Sequence, residues 1–189
     1  MLSIAFFPAA SIVRPRAALA WMLALGLGAP AGASAHGPGG SNRAHVHGEA
    51  ALDIAVDAAG FSAELRMPMD TLVGFERAPN RREEQDALHR ALERLKTVQQ
   101  ILRPSAAAQC SGRLDRLDLP QWNTASDVHL DIEASYRFDC ASNHRLVTIE
   151  VALFDSFSRL ARVDTRAVDA HGTRAQRLTR NTRVLNLTR

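Results

Sequence analysis

Apolar and polar residues alternate along much of the chain beyond residue 49, a pattern that predicts strands with one buried face. The first two such stretches, residues 52–56 and 61–67, flank a short segment ending in glycine, which predicts a β-hairpin. The same alternation predicts further strands at residues 128–138, 147–153 and 163–168, a weak one at 114–119, and a final one between residues 174 and 187.

A different spacing predicts a helix over residues 80–102. Its apolar residues recur every three or four positions and would form one stripe, namely Leu88, Leu92, Leu95, Val98 and Leu102. Asn80 is a suitable N-cap with Glu83 three residues later, and Pro104 prevents continuation. The sequence therefore predicts an α+β fold, a mostly antiparallel sheet with one inserted amphipathic helix in a single domain.

The N-terminal residues have the features of a secretory signal peptide. Arg14 and Arg16 precede a short apolar run that ends in the small-residue motif Ala-Ser-Ala, which predicts cleavage after Ala35. An uncleaved N-terminal anchor is the alternative, although the run is short for a membrane span and contains glycine and proline. We expect a signal peptide at 1–35, a flexible glycine-rich arm at 36–43 and a folded domain at 44–189.

Export changes the interpretation of the two cysteines, Cys110 and Cys140. In an oxidising compartment a pair of cysteines predicts a disulfide. Two free thiols or two metal ligands are the alternatives, but the pair lacks the close spacing of a zinc knuckle.

Composition and charge exclude several classes of protein. Apolar residues make up 46% of the chain and charged residues 23%, which excludes a disordered tail, a collagen and a coiled coil. A polytopic membrane protein is excluded because only one apolar stretch approaches the length of a membrane span. Removing 1–35 reduces the formal net charge from +3 to +1, so we expect no nucleic-acid partner. The sequence lacks a nucleophile elbow and a phosphate-binding glycine loop, so we do not expect an enzyme.

Histidine and carboxylate side chains form the most informative candidate site. In an extended chain, His45, His47 and Glu49 would lie on one side, a ligand set that suits zinc. The alternative is a pair of solvated histidines on a polar strand face.

Two further histidines add candidates for metal binding. His129 shares a predicted strand face with Asp131 and Glu133, and this face would converge with the first one if the two strands were neighbours. Cleavage after Ala35 would make His36 the N terminus, where its amine and ring could chelate copper instead.

Four segments in this order resemble the ZrgA-like family of exported bacterial proteins. They are AHVHGEAALDIAVD at 44–57, LVGFERAP at 72–79, DIEASYRFDC at 131–140 and VALFDSFSRL at 151–160. The resemblance implies a periplasmic protein that binds zinc and helps a zinc ATP-binding-cassette (ABC) importer, or the binding protein of that importer, to acquire it.

The family's motifs can be placed on this sequence. Its HxHG motif falls on residues 45–48, and its GFEHxP-like motif falls on residues 74–79, which include Glu76. Arg77 stands where a histidine is usual, and an arginine cannot ligate a metal ion. The candidate zinc ligands are His45, His47, Glu49, Glu76 and His129. A metal-free module that docks on an envelope partner is the competing hypothesis.

Overall fold

The computed structural model describes residues 47–122 and 130–187, which lie within one compact unit, residues 42–189. These described residues contain nine strands, in the order β1 (Glu49–Val56), β2 (Gly60–Pro68), β3 (Leu102–Pro104), β4 (Cys110–Asp118), β5 (Asp131–Cys140), β6 (Thr148–Val151), β7 (Arg162–Asp169), β8 (Gly172–Thr179) and β9 (Val184–Asn186). The helices are α1 (Met69–Val73), α2 (Arg82–Lys96) and α3 (Leu153–Ser156). Short 3₁₀ turns occupy Val98–Gln100, Ala106–Ala108 and Asn143–Arg145.

The strands form two sheets. Six of them pair in the order β4-β5-β2-β1-β7-β8, and β3-β6-β9 form a second, smaller sheet. Every pairing is antiparallel except that of β1 with β7, which is parallel. The predicted fold class, a mostly antiparallel α+β domain, is therefore confirmed.

The core lies on the apolar face of the central strands. Phe61 of β2 and Phe138 of β5 are paired in register and stack with ring centroids 4.4 Å apart. Tyr136, on the same face of β5, donates its hydroxyl proton to the Leu95 carbonyl at 3.0 Å. This hydrogen bond fixes the C-terminal end of α2 to the sheet.

The predicted helix at 80–102 is wrong at both ends. Helix α2 ends at Lys96, and Leu102 instead begins strand β3, where it pairs with Val151 of β6. The apolar spacing extends past Lys96 because Val98 and Leu102 are also buried, although they belong to the 3₁₀ turn and to β3 rather than to the helix. At the other end Arg81, without a side-chain cap, precedes the helix, and the Asn80 N–H binds the Glu84 carboxylate at 3.1 Å.

Two further predictions need correction. The single strand expected between residues 174 and 187 is two strands, β8 and β9, which belong to different sheets. The chain reverses between them through a bridge from Thr179 to Thr182. Helix α1 was not predicted, because five residues are too few to establish a helical period.

The predicted disulfide is confirmed. Cys110 and Cys140 are bonded to each other and stand directly opposite in the β4–β5 ladder. Cys140 continues the buried face of β5, as its position in the alternating pattern indicates. The bond therefore joins an edge strand to the core.

A carboxylate organises the turn between β1 and β2. Asp57 accepts hydrogen bonds from the backbone N–H groups of Ala59, at 2.8 Å, and Gly60, at 3.0 Å. The Arg137 guanidinium of β5 donates to the same carboxylate. Arg137 is the main cause, and the Ala59 N–H a second one, of an Asp57 pKa lowered to about 2.

We expect this turn to make the protein sensitive to acid. The lowered pKa of Asp57 means that the unfolded chain takes up its proton first as the pH falls. The stability that the ionised carboxylate contributes is complete above about pH 4 and is lost as the pH falls towards 2. Thermal melts from pH 6 to pH 2 should therefore show a shallower acid-induced decrease for D57N than for the wild type.

The matched control for this experiment is D53N. Asp53 lies on β1, the strand that leads into this turn, and is exposed, and its nearest ion-pair distance, to Arg166, is 3.8 Å. D53N should retain the wild-type dependence of melting temperature on pH. Parallel curves for wild type and D57N would contradict the prediction.

Candidate metal centre

The chain turns immediately before β1. Gly48 has a φ of 81°, in the left-handed region that glycine adopts without steric cost. The extended conformation predicted for residues 45–49 is therefore wrong at Gly48, and β1 begins at Glu49. As a result, His47 and Glu49 bind different partners.

His47 binds a carboxylate that the sequence interpretation had not selected. Its Nδ1 lies 2.7 Å from Oδ2 of Asp70, which stands in α1 directly after β2. The imidazole remains 71% exposed and the Asp70 side chain 27% exposed. An accessible imidazole and a carboxylate thus meet at one end of the β1–β2 hairpin.

The register of this hairpin contains the signal that would have found Asp70. Ala51 pairs with Arg66, and counting the same antiparallel register outward by four residues sets His47 opposite Asp70. Residues that face each other across an antiparallel pair lie within side-chain reach.

The electrostatic environment of His47 favours a cation. The pKa of His47 is raised, mainly by its hydrogen bond to Asp70 and also by the negative charges of Asp70 and Glu76. The same charges would attract a divalent metal ion. The negative charges of Asp70 and Glu76 thus make the surroundings of His47 favourable for a cation.

The polar face of β5 does not lie beside β1, because β2 separates the two strands. The condition for convergence with the first site, that the two strands be neighbours, is therefore not met. Glu133 instead forms an ion pair with Arg66 of β2 at 3.2 Å. The chain before β5 nevertheless approaches α1, since the Met69 N–H donates to the Leu130 carbonyl at 2.8 Å.

The other predicted ligands have different outcomes. The Glu49 carboxylate forms an ion pair with Arg162 of β7. His36, His45 and His129 lie outside the described residues. Among residues 47–122 and 130–187, no three histidine, cysteine or acidic side chains are arranged to hold a metal ion. The donors that are described, imidazole and carboxylate oxygen, are types that zinc accepts.

Comparison with protein families identifies the chain. The family described as "ZrgA family zinc uptake protein" matches residues 44–187, which is well over half of the sequence. The chain belongs to the ZrgA family. The resemblance seen in the four sequence segments is thereby confirmed, and the chain's family is one of zinc uptake proteins rather than of enzymes.

Two further observations add little to the ZrgA assignment. A search of curated proteins gives no match. In the part of the ZrgA chain that the structure describes, no helix is both long enough and apolar enough to cross a membrane.

The ZrgA chain uses Arg77 to bind Glu84. The Arg77 guanidinium reaches both oxygens of the Glu84 carboxylate, at 2.8 and 2.6 Å. Arg81 binds the same carboxylate, which is only 8% exposed. We call Arg77, Arg81 and Glu84 the Glu84 cluster. The two arginines lower the pKa of Glu84, mainly through the hydrogen bond from Arg77.

The Glu84 cluster explains what an arginine at this position does. A buried carboxylate needs charged partners, and the planar guanidinium of Arg77 supplies two hydrogen bonds. Arg77 directly follows Glu76, whose charge acts on His47. The cluster therefore ties the loop that carries Glu76 to helix α2.

Proposed function

We propose that this ZrgA protein binds zinc in the periplasm and passes it to a zinc ABC importer or to that importer's binding protein. The observation that supports this most directly is the pairing of the exposed His47 with Asp70, in a family of zinc uptake proteins. Export through a signal peptide at 1–35, cleaved after Ala35, belongs to the same proposal. The exported protein would carry the arm 36–43 and the domain 44–189.

The proposed ligands are chosen for their relation to the turn that precedes β1. His47 supplies one imidazole, and His45 is only two residues earlier in the chain. Glu76 is close enough for its charge to raise the pKa of His47. His129 directly precedes Leu130, whose carbonyl binds α1 beside Asp70. Glu49 could join this set only by leaving Arg162.

Exposure of the site suits transfer of the ion. Structural zinc sites are closed by four protein ligands, whereas an exchangeable site keeps a position open to water or to another protein. The His47 ring is largely exposed, so a partner could reach a bound ion. This accessibility favours a carrier over a site that merely stabilises the fold.

The proposal predicts that zinc affinity depends on His47. Calorimetric titration of the exported protein at pH 7 should show zinc binding, and H47A should weaken it at least about tenfold because an imidazole ligand is lost. H45A should weaken zinc binding similarly. H89A is the matched control, since His89 is an exposed histidine on α2, and it should bind zinc like the wild type.

The alternatives give different results in the same titration. Heat with copper alone would favour a copper site at His36, and no heat with either metal would favour the metal-free docking module. Equal zinc affinity in wild type and H47A would contradict the proposed site. A growth experiment tests transfer to the importer. In a strain from which the gene for this protein has been deleted, the wild-type protein should restore growth under zinc limitation and H47A should not.

A further inference from the structure

We propose that Asp70 is a positioning residue that fixes the tautomer and orientation of His47, so that His47 presents Nε2 to the ion. This inference rests on the proposed zinc-binding function. The geometry that carries it is the 2.7 Å separation between Nδ1 of His47 and Oδ2 of Asp70. An ionised carboxylate only accepts hydrogen bonds, so the proton between the two atoms belongs to Nδ1. In the neutral ring, Nε2 then carries the free electron pair.

The ring is held on one side, and its backbone is held as well. The Gly48 N–H donates to Oγ1 of Thr71 at 2.9 Å, and Thr71 is only 1% exposed. Two consecutive residues of α1 therefore bind two consecutive residues of the turn, one through the imidazole and one through the backbone. Such double attachment restricts the side chain before any ion arrives.

Helix α1 is itself fixed in place. Its first N–H, from Met69, binds the Leu130 carbonyl at 2.8 Å. Its last turn is closed by the Gly74 N–H, which donates to the Asp70 carbonyl at 2.8 Å. The carboxylate that holds His47 thus projects from a segment whose two ends are hydrogen-bonded.

The two nitrogens of an imidazole point away from each other. An ion on Nε2 would therefore lie on the side of the ring opposite Asp70, and Asp70 would not ligate it while holding Nδ1. A carboxylate in this position makes the ligand more basic, and losing such a partner typically weakens metal affinity about 10–100-fold. Asp70 would accordingly increase affinity without contacting the ion.

The test reads the tautomer directly in the zinc-free protein. Long-range ¹H–¹⁵N spectra of the full exported protein, at about pH 9 where a histidine ring is neutral, should show Nδ1 protonated and Nε2 unprotonated in His47. In D70N this preference should be lost, and zinc affinity measured by calorimetry should fall about 10–100-fold. D53N, which changes an exposed aspartate of β1, should leave both measurements at their wild-type values.

Zinc addition completes the experiment, because it should shift the Nε2 resonance of His47. A proton on Nε2 in the zinc-free wild type, a zinc-induced shift at Nδ1, or a D70N affinity equal to that of D53N would overturn the inference. If the Nδ1 tautomer is found but the wild type binds no zinc, the hold of Asp70 on the ring is supported and the proposed function fails. The two failures are therefore distinguishable.

Discussion

Removing the Cys110–Cys140 disulfide should lower the free energy of unfolding by about 3–4 kcal/mol. The bond closes a loop with a sequence separation of 30 residues, and without it the unfolded chain gains the conformational freedom of that loop. It also attaches β4, which stands at the edge of the six-stranded sheet, to the buried β5. Urea denaturation of the variant with C110A and C140A, compared with the oxidised wild type, measures the difference.

A reductant provides the control for this prediction. Since the sequence contains two cysteines, adding a thiol reductant should destabilise the wild type and leave the double variant unchanged. A variant that unfolds at the same urea concentration as the oxidised wild type would contradict the expected contribution. Unequal effects of reduction and substitution would separate the bond itself from the packing of Cys140.

Replacing Gly60 with alanine should cost about 3 kcal/mol of stability, because the new methyl group would clash with the backbone of β5. A Cβ at Gly60 would lie 2.0 Å from the carbonyl oxygen of Phe138 and 3.2 Å from the amide nitrogen of Cys140. Both atoms belong to β5, which pairs with β2 at this point. Relief of the clash would require the ladder between the two central strands to open. Equilibrium urea unfolding of G60A measures the loss.

Gly172 is a matched control for this substitution. It also begins a strand after a turn and also has a positive φ, 130°, but a Cβ there would have no atom within 4 Å. G172A should therefore carry only the backbone cost, about 1 kcal/mol. If G60A and G172A lose the same stability, the clash with β5 does not determine the requirement for glycine.

The strands that the sequence predicted best are those with one buried face. In β1, β2, β5 and β7, buried residues alternate with half-buried or exposed ones, so a period of two is visible in the sequence. Strand β4 alternates only weakly because it stands at an edge and is largely exposed. Burial of one face produces the alternation of apolar and polar residues. An edge strand buries less of that face, so its alternation is weaker and the strand is harder to predict.

The end of α2 could not be predicted from periodicity. Val98 and Leu102 continue the helical spacing, yet they are buried by a 3₁₀ turn and by β3. The helix ends near Leu95, whose carbonyl accepts a hydrogen bond from the Tyr136 hydroxyl. Strand β3 then begins at Leu102, which pairs with Val151 of β6. Both partners lie far along the chain, so no local signal marks the boundary.

The sequence selected His47 as a candidate zinc ligand, which stays a prediction, and it did not identify the partner that the structure gives to this side chain. His47 was selected because it lies in an HxH motif, but its partner was sought along the same strand. The structure gives it a partner across the hairpin, Asp70, which the register of the predicted turn could have indicated. Charge pairing of Glu49 with Arg162 could not be foreseen, because it depends on the parallel neighbour β7.

The parallel pairing of β1 with β7 has a consequence for how the protein folds. Glu49 pairs with Arg162, more than a hundred residues later, and the Gly48 carbonyl accepts N–H groups from Ala161 and Arg162. A chain that emerges from the ribosome N terminus first presents β1 long before its neighbour exists. Contacts between such distant segments form late because a long loop must close first. We therefore expect the contacts of this turn with β7 to form after its contacts with α1, which lies much nearer in the sequence.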